Sequence, residues 1–382
     1  MSAISRSIDD FALDLLRTLS RANPSVNMLV SPLSISSALA MVYMGARGDT
    51  AVQMEEVLSF KSGEDVHSKF ETLIKDINSP SKSYSLKTAN YLFGQKSESF
   101  LSRFEEALSK YYRAYLNTVD FIGATEASRV EINTLVEQQT ENQIKDILKL
   151  GTVSRETKLV LVNAIYLKAT WKYVFFPKET TEMLFKVSQT ESKPVQMMFQ
   201  MKKLPYKLIT ISGLKILELP FVAEELSMLI LLPKESTDGS DPLVKLVKEL
   251  TLQELHEWTD RENMTVHSEI LVHLPKFKLE DVYELKEPLS ELGMRDVFNP
   301  LKADLSGMNG GRDLFVTEVV HKALMTVNEE GIEVGAATGP KVNSRSGPSS
   351  GETFTADHPF LFFIRHNKTK TILFLGRFSS PQ

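Results

Sequence analysis

The period of apolar and polar positions changes along the chain and separates two kinds of element. In the first third it is 3.6 residues. Ile8, Phe11, Ala12, Leu15 and Leu19 share one face of a predicted amphipathic helix, with Ser7 and Asp10 three residues on as a capping signal. Ser31-Pro32 opens a second helix, Leu33 to Met44, that is apolar on most faces and so is predicted to be buried. Gly45 and Gly48 stop it, and Thr50 starts another running through Val57. Stretches 104–115 and 127–148 carry charges spaced as on surface helices. Leu159 to Leu167 reads differently: a nearly continuous apolar run with Asn163 at its centre, the pattern of a strand covered on both faces. Similar runs occupy 226–232, 360–364 and 372–375, the last two separated by a turn from Asn367 to Thr371. No unit of 20–50 residues repeats and no long linker divides the chain, so the pattern predicts one mixed α+β domain over residues 1–382.

Composition removes whole classes of chemistry. Hydrophobic residues at 42% and charged residues at 24% are globular usage, and 44 Lys+Arg against 49 Asp+Glu leaves no basic surplus for nucleic acid. The absence of Cys excludes disulfides, thiolate metal sites and a cysteine nucleophile. No uncharged apolar run reaches 18 residues, so no membrane span is expected. Asp9 and Asp10 stand where the apolar part of a signal peptide would lie. A cytoplasmic location is therefore expected, with release by a route without a signal peptide left open, and the sequons at Asn263 and Asn367 read as chance. His256-Glu257-Trp258 lacks the second His of a zinc-protease helix, and no phosphate or dinucleotide fingerprint occurs, so no metal or cofactor is expected. Gly347-Pro348-Ser349-Ser350-Gly351 fits the letters of a hydrolase elbow without the strand before it or the helix after it. Met197 to Met201 reads as packing.

One stretch stands apart. From Gly331 to Gly351 the chain is dominated by Gly, Ala, Ser and Pro, between apolar strand-like segments at 314–327 and 360–364. Loops of that length without structure of their own are uncommon and usually functional, and this one reads as an exposed, protease-accessible display.

Spaced motifs along the chain resemble those of the serpins, in particular the intracellular ovalbumin-like branch. They include Ser31-Pro32-Leu33-Ser34-Ile35, Leu161 to Tyr166, Leu274-Pro275-Lys276, Val320-His321-Lys322-Ala323, Glu329 to Glu333, Ala356 to Arg365 and Phe374 to Pro381. The resemblance implies three β-sheets, about nine helices and a reactive-centre loop over 329–353. It also implies a monomer without catalytic groups of its own that baits a serine protease. The protease forms an acyl-enzyme with the loop, and the cut loop then inserts into the central sheet. The same resemblance assigns Ser31, Ser34, Asn163 and His321 to a polar cluster where the sheet opens. It assigns Trp171, Lys276 and Glu329 to a cluster at the top of the insertion gap, where Ala169 departs from the family's usual Gly.

Counted from Glu329, the loop's seventeenth residue is Arg345, which implies a scissile bond Arg345–Ser346 and a trypsin-like target whose buried carboxylate pairs with a guanidinium. The segment beyond is about one residue longer than in close relatives, so Ser344 and Ser346 stay open as alternatives, and Lys341 sits too near the hinge. The hinge runs Glu329, Glu330, Gly331, Ile332, Glu333, Val334, Gly335, Ala336, Ala337 and Thr338. By strand alternation Ile332, Val334, Ala336 and Thr338 would face inward after insertion, none of them charged. Gly331 to Thr338 thus favour inhibition, although Ile332 and Val334 are bulky for the site; Pro340, with no N–H to give a ladder, argues against it, and the fold alone does not guarantee inhibition, so a non-inhibitory storage, carrier or chaperone-like serpin is kept as the alternative.

Overall fold

The computed structural model describes residues 1–79, 83–333 and 351–382. Helix α1 (Ala3–Ala22) buries Ile8, Phe11, Ala12, Leu15 and Leu19 on the predicted face. Its cap is Ser2 rather than Ser7: the Ser2 hydroxyl accepts the Ser5 N–H at 3.2 Å, while Ser7 lies one turn inside and donates to the Ala3 and Ser59 carbonyls. Helix α2 (Pro32–Gly45) has Pro at its first position, where the missing N–H would find no helical partner, and lies buried as its sequence requires. Six further helices are α3 (Gly48–Val57), α4 (Val66–Ile77), α5 (Ser102–Tyr112), α6 (Thr125–Gln139), α7 (Pro242–Glu249) and α8 (Leu252–Thr259). With α9 (Lys286–Leu292) and the single turn α10 (Ser306–Asn309), the described residues hold ten. Helix α6 stops short of the expected Leu148 because Glu141 and Asn142 adopt left-handed backbone, with φ of 52° and 64°.

Three sheets organise the strands. In the central sheet the order is β11 (Phe277–Glu284), β12 (Glu318–Val327), β13 (Gly331–Ile332), β4 (Leu159–Thr170), β2 (Tyr84–Gln95) and β3 (Tyr115–Val119). A second sheet runs β1 (Met28–Val30), β16 (Thr371–Phe378), β15 (Phe360–His366), β9 (Leu226–Leu232), β8 (Leu214–Pro220) and β7 (Tyr206–Ile209). The third is β14 (Glu352–Thr355), β10 (Glu269–Pro275), β6 (Ser192–Lys203) and β5 (Thr181–Lys186). The strand expected from Leu314 starts only at Glu318.

Strand β4 is apolar from Leu159 to Leu167, apart from Asn163, because both of its faces are covered. Leu161, Ile165, Leu167 and Ala169 join the main core with α1 and α2. Val160, Val162, Ala164 and Tyr166 pack on the other face beneath Ile132 and Val136 of α6 and Ile144, Ile147 and Leu148 of the segment after it. Met197 and Met198 are fully buried in β6, a packing role. Gly376 of β16 faces Phe362 of β15, and a Cβ there would lie 2.0 Å from the ring. Gly376→Ala therefore overpacks the second sheet and should lower stability by about 1–3 kcal/mol, read from the urea unfolding midpoint.

Candidate functional site at the split in the central sheet

Strands β4 and β12 run parallel and share rungs from Val160 opposite Glu318 to Tyr166 opposite Leu324. Beyond that rung they part. The space is filled by β13, which pairs antiparallel with both neighbours: Ile332 with Val327 of β12 and with Ala169 of β4, and Gly331 with Thr170. The sequence reading has the loop exposed from Gly331 onward; its first two residues lie instead inside the sheet. Side-chain chemistry explains this. Ile332 is fully buried in the main core, which removes its apolar surface from water. Gly331, at φ 151°, passes so close to β4 that a Cβ would lie 2.0 Å from the Ala169 carbonyl oxygen. The next residue, Glu333, leaves the extended backbone at φ 52° and ends the strand.

A tight reversal returns the chain from β12 to β13. The Asn328 side-chain oxygen accepts the N–H groups of Glu330 and Gly331 at 3.0 and 3.1 Å, and the Asn328 N–H donates to the Gly331 carbonyl at 2.9 Å. Trp171 stands beside it. Its backbone N–H donates to the Glu330 carbonyl at 2.9 Å, its indole N–H donates to the Asn328 carbonyl at 3.0 Å, and its ring stacks on Phe221 at 4.5 Å. Glu329 turns inward and is met by Lys276 Nζ at 3.0 Å and by the Thr180 hydroxyl at 2.9 Å. Burial pushes its pKa up, but those two partners and its own backbone outweigh burial and the net shift is downward. Trp171, Lys276 and Glu329 thus meet at one place, with Thr180 and Asn328 as members that no motif announced.

Three rungs below the split, Asn163 and His321 face each other across β4 and β12. The Ser31 N–H donates to His321 Nε2 at 3.1 Å, so that nitrogen carries a lone pair and Nδ1 carries the proton, which it donates to Asn163 Oδ1 at 2.5 Å. The Asn163 amide donates to Ser34 Oγ at 2.5 Å and also to Asn90 Oδ1 from β2. Ser31 Oγ donates to the Leu373 carbonyl at 2.6 Å and accepts the Ser34 N–H. Ser31, Ser34, Asn163 and His321 therefore form one buried network that ties α2, β4, β12 and β16. Asn90 was missed in the sequence because a polar residue in an alternating strand gives no signal. Burial holds the His321 pKa down at about 3, so the ring is neutral at physiological pH.

The family description "Serpin (serine protease inhibitor)" matches residues 6–381. This chain belongs to the serpin family. It is 50% identical to the human leukocyte elastase inhibitor and 49% identical to the horse protein of that name, each over 382 residues and the whole of both chains. Among solved structures, uncleaved ovalbumin superposes with a TM-score of 0.89 at 34% identity over 100% of both chains, and maspin with 0.90 at 35% over 100% of this chain and 99% of that one. Serpins are inhibitors of proteases, and this one is not an enzyme. Of the serpin hinge, Glu329, Glu330, Gly331, Ile332 and Glu333 are seen; Val334, Gly335, Ala336, Ala337, Thr338, Pro340, Arg345 and Ser346 lie outside the described residues.

The neutral His321 sets a pH dependence. Below about pH 6.5 the unfolded chain takes up a proton that the folded ring refuses until about 3, so its contribution to stability falls as pH falls through that window. Between pH 7.5 and 5 the wild type should lose about 2 kcal/mol more stability than His321→Gln, measured by urea unfolding.

Proposed function

We propose that this serpin inhibits a trypsin-like serine protease as a one-use substrate, cut at Arg345–Ser346. The protease serine attacks the Arg345 carbonyl and the new N-terminus at Ser346 leaves. The acylated segment then lengthens β13 between β4 and β12 before water can release the enzyme. The observation that carries the reading is the pairing of Ile332 with both flanking strands, and of Gly331 with β4: the first rung of the added strand is in place in the uncut chain. Counting outward from Glu329, which is anchored by Lys276 and Thr180, leads to the one Arg of the loop. Each further rung adds backbone hydrogen bonds worth about 0.5–1.5 kcal/mol net. Pro340 withholds one of them and slows the later part of insertion.

A second reading of the target comes from the relatives. At about half identity they carry the name leukocyte elastase inhibitor, and an elastase pocket, small and apolar, would take Val342 or Ser344 in place of a guanidinium. Incubation with trypsin and with leukocyte elastase separates the two. Trypsin should give a complex that survives denaturant, and sequencing the C-terminal fragment should read from Ser346. A fragment starting at Asn343 or Arg345 with an elastase complex would transfer the assignment to the second target. Cleaved protein should also unfold at a far higher temperature than intact protein. Equal midpoints would move this chain to the non-inhibitory storage or carrier members.

A further inference from the structure

The second sheet ends in a hairpin whose apex is apolar where it meets water. Strands β7 and β8 are joined by Thr210, Ile211, Ser212 and Gly213. Polar or small residues are usual at such an apex. Here the Ile211 side chain is fully exposed, and Leu208, one residue before the end of β7, is 43% exposed. The base below them is fixed. Ile209 and Leu214 pair across the hairpin and pack against the main core, and Tyr206 and Leu217 behind them are buried. The turn closes on itself: the Gly213 N–H donates to the Ile209 carbonyl at 2.8 Å, with Gly213 left-handed at φ 74°. A closed turn on a fixed base holds Ile211 outward.

Three lysines surround this apex. Lys215 stands directly across from Leu208 on one face of the hairpin, and Lys207 points to the other face. Lys234, after β9, lays its stem against the turn, with its Cβ 3.0 Å from where a Cβ on Gly213 would sit. Lys207 Nζ donates to the Asn263 carbonyl at 2.9 Å and Lys215 Nζ to the Thr353 carbonyl at 2.8 Å. These neutral partners fix the ammonium groups without cancelling their charge, and among the described residues none of the three lysines is ion-paired. Glu235, next to Lys234, is bound instead by Lys186 at 2.8 Å. Glu352 acts on Tyr206, whose pKa is pushed up by burial and then by this carboxylate.

We propose that the β7–β8 hairpin docks on an anionic lipid surface, with Ile211 and Leu208 entering the headgroup boundary while Lys207, Lys215 and Lys234 meet the phosphates. Each part needs the other. Two apolar side chains alone are a small anchor for a chain of 382 residues, and the net charge of −5 opposes approach to an anionic surface except through a locally basic end. A nucleic acid would use the lysines and leave Ile211 in water; a bilayer uses both. No helix among the described residues is long and apolar enough to cross a membrane, so the contact is with the surface alone. Through its bond to Thr353, Lys215 also keeps the chain just past the loop at the docked face.

The test is sedimentation of the full chain with vesicles of phosphatidylcholine and phosphatidylserine, and with vesicles of phosphatidylcholine alone. Wild type should sediment with the first and not the second, and less as salt is raised. Ile211→Ser should weaken binding about tenfold, and Lys207→Ala, Lys215→Ala and Lys234→Ala about fivefold each, all with unchanged unfolding midpoints. Tryptophan emission of Ile211→Trp should shift to shorter wavelength when the mixed vesicles are added, since the ring leaves water. Wild type that stays in solution with the mixed vesicles overturns the proposal. Undiminished binding of Ile211→Ser, or no emission shift from Ile211→Trp, also overturns it and marks adsorption by charge alone. If vesicles leave wild type unbound while Ile211→Ser slows capture of trypsin, the hairpin is a protein contact and the lipid assignment is wrong.

Discussion

The arrangement depends on one constraint: two parallel strands that part at one end expose backbone donors and acceptors that must be satisfied inside the protein. An unmade hydrogen bond there costs about 1–3 kcal/mol for each group, against about 1 kcal/mol gained when it is made. Strands β4 and β12 meet that demand with the chain that leaves β12 and turns back at Asn328 to lie between them. The features at the top of the sheet serve the turn. Trp171 caps two of its carbonyls, and Glu329 is drawn inward to Lys276, which fixes where the returning chain starts. Gly331 is there because no Cβ fits against the Ala169 carbonyl.

Lower down, the same problem appears in side-chain form. Where β4 and β12 are still joined, Asn163 and His321 place polar atoms in an otherwise apolar interior, and those that bond use Ser31, Ser34 and Asn90. A buried network of this kind is directional: it permits one relative placement of the strands and the helix behind them. Because the imidazole is neutral, the network holds the strands together without a buried charge, and parting them requires every member to find new partners at once.

How legible this was in the chain varied with the physics. The β4 run could be read because both faces are covered, which erases alternation and leaves Asn163 conspicuous. Its partners could not be read from spacing, since Ser31 and His321 are brought to it by strand register; only the likeness to a family grouped them. The end of α6 was hidden because Glu141 and Asn142 continue a helical charge pattern while adopting a left-handed backbone, with no Gly to mark it. Alternation assigned Ile332 an inward face, but two residues are too few for the pattern to tell a paired strand from a loop. Thr180 and Asn90 are polar residues in polar-tolerant places and carry no signal until the fold sets them beside Glu329 and Asn163.

The chain beyond the loop has its own consequence. After Gly351 it forms β14 at the edge of the third sheet and then β15 and β16, which lie inside the second sheet with Phe360, Phe362, Phe374 and Leu375 fully buried. Arg377 is buried as well, held by the Ser20 hydroxyl and the Val26 and Asn23 carbonyls from α1 and the turn after it. A break in the backbone between residues 333 and 351 therefore divides the covalent chain without dividing the folded body. The two pieces share a sheet and a core, migrate as one particle under native conditions, and come apart only when that shared core is unfolded.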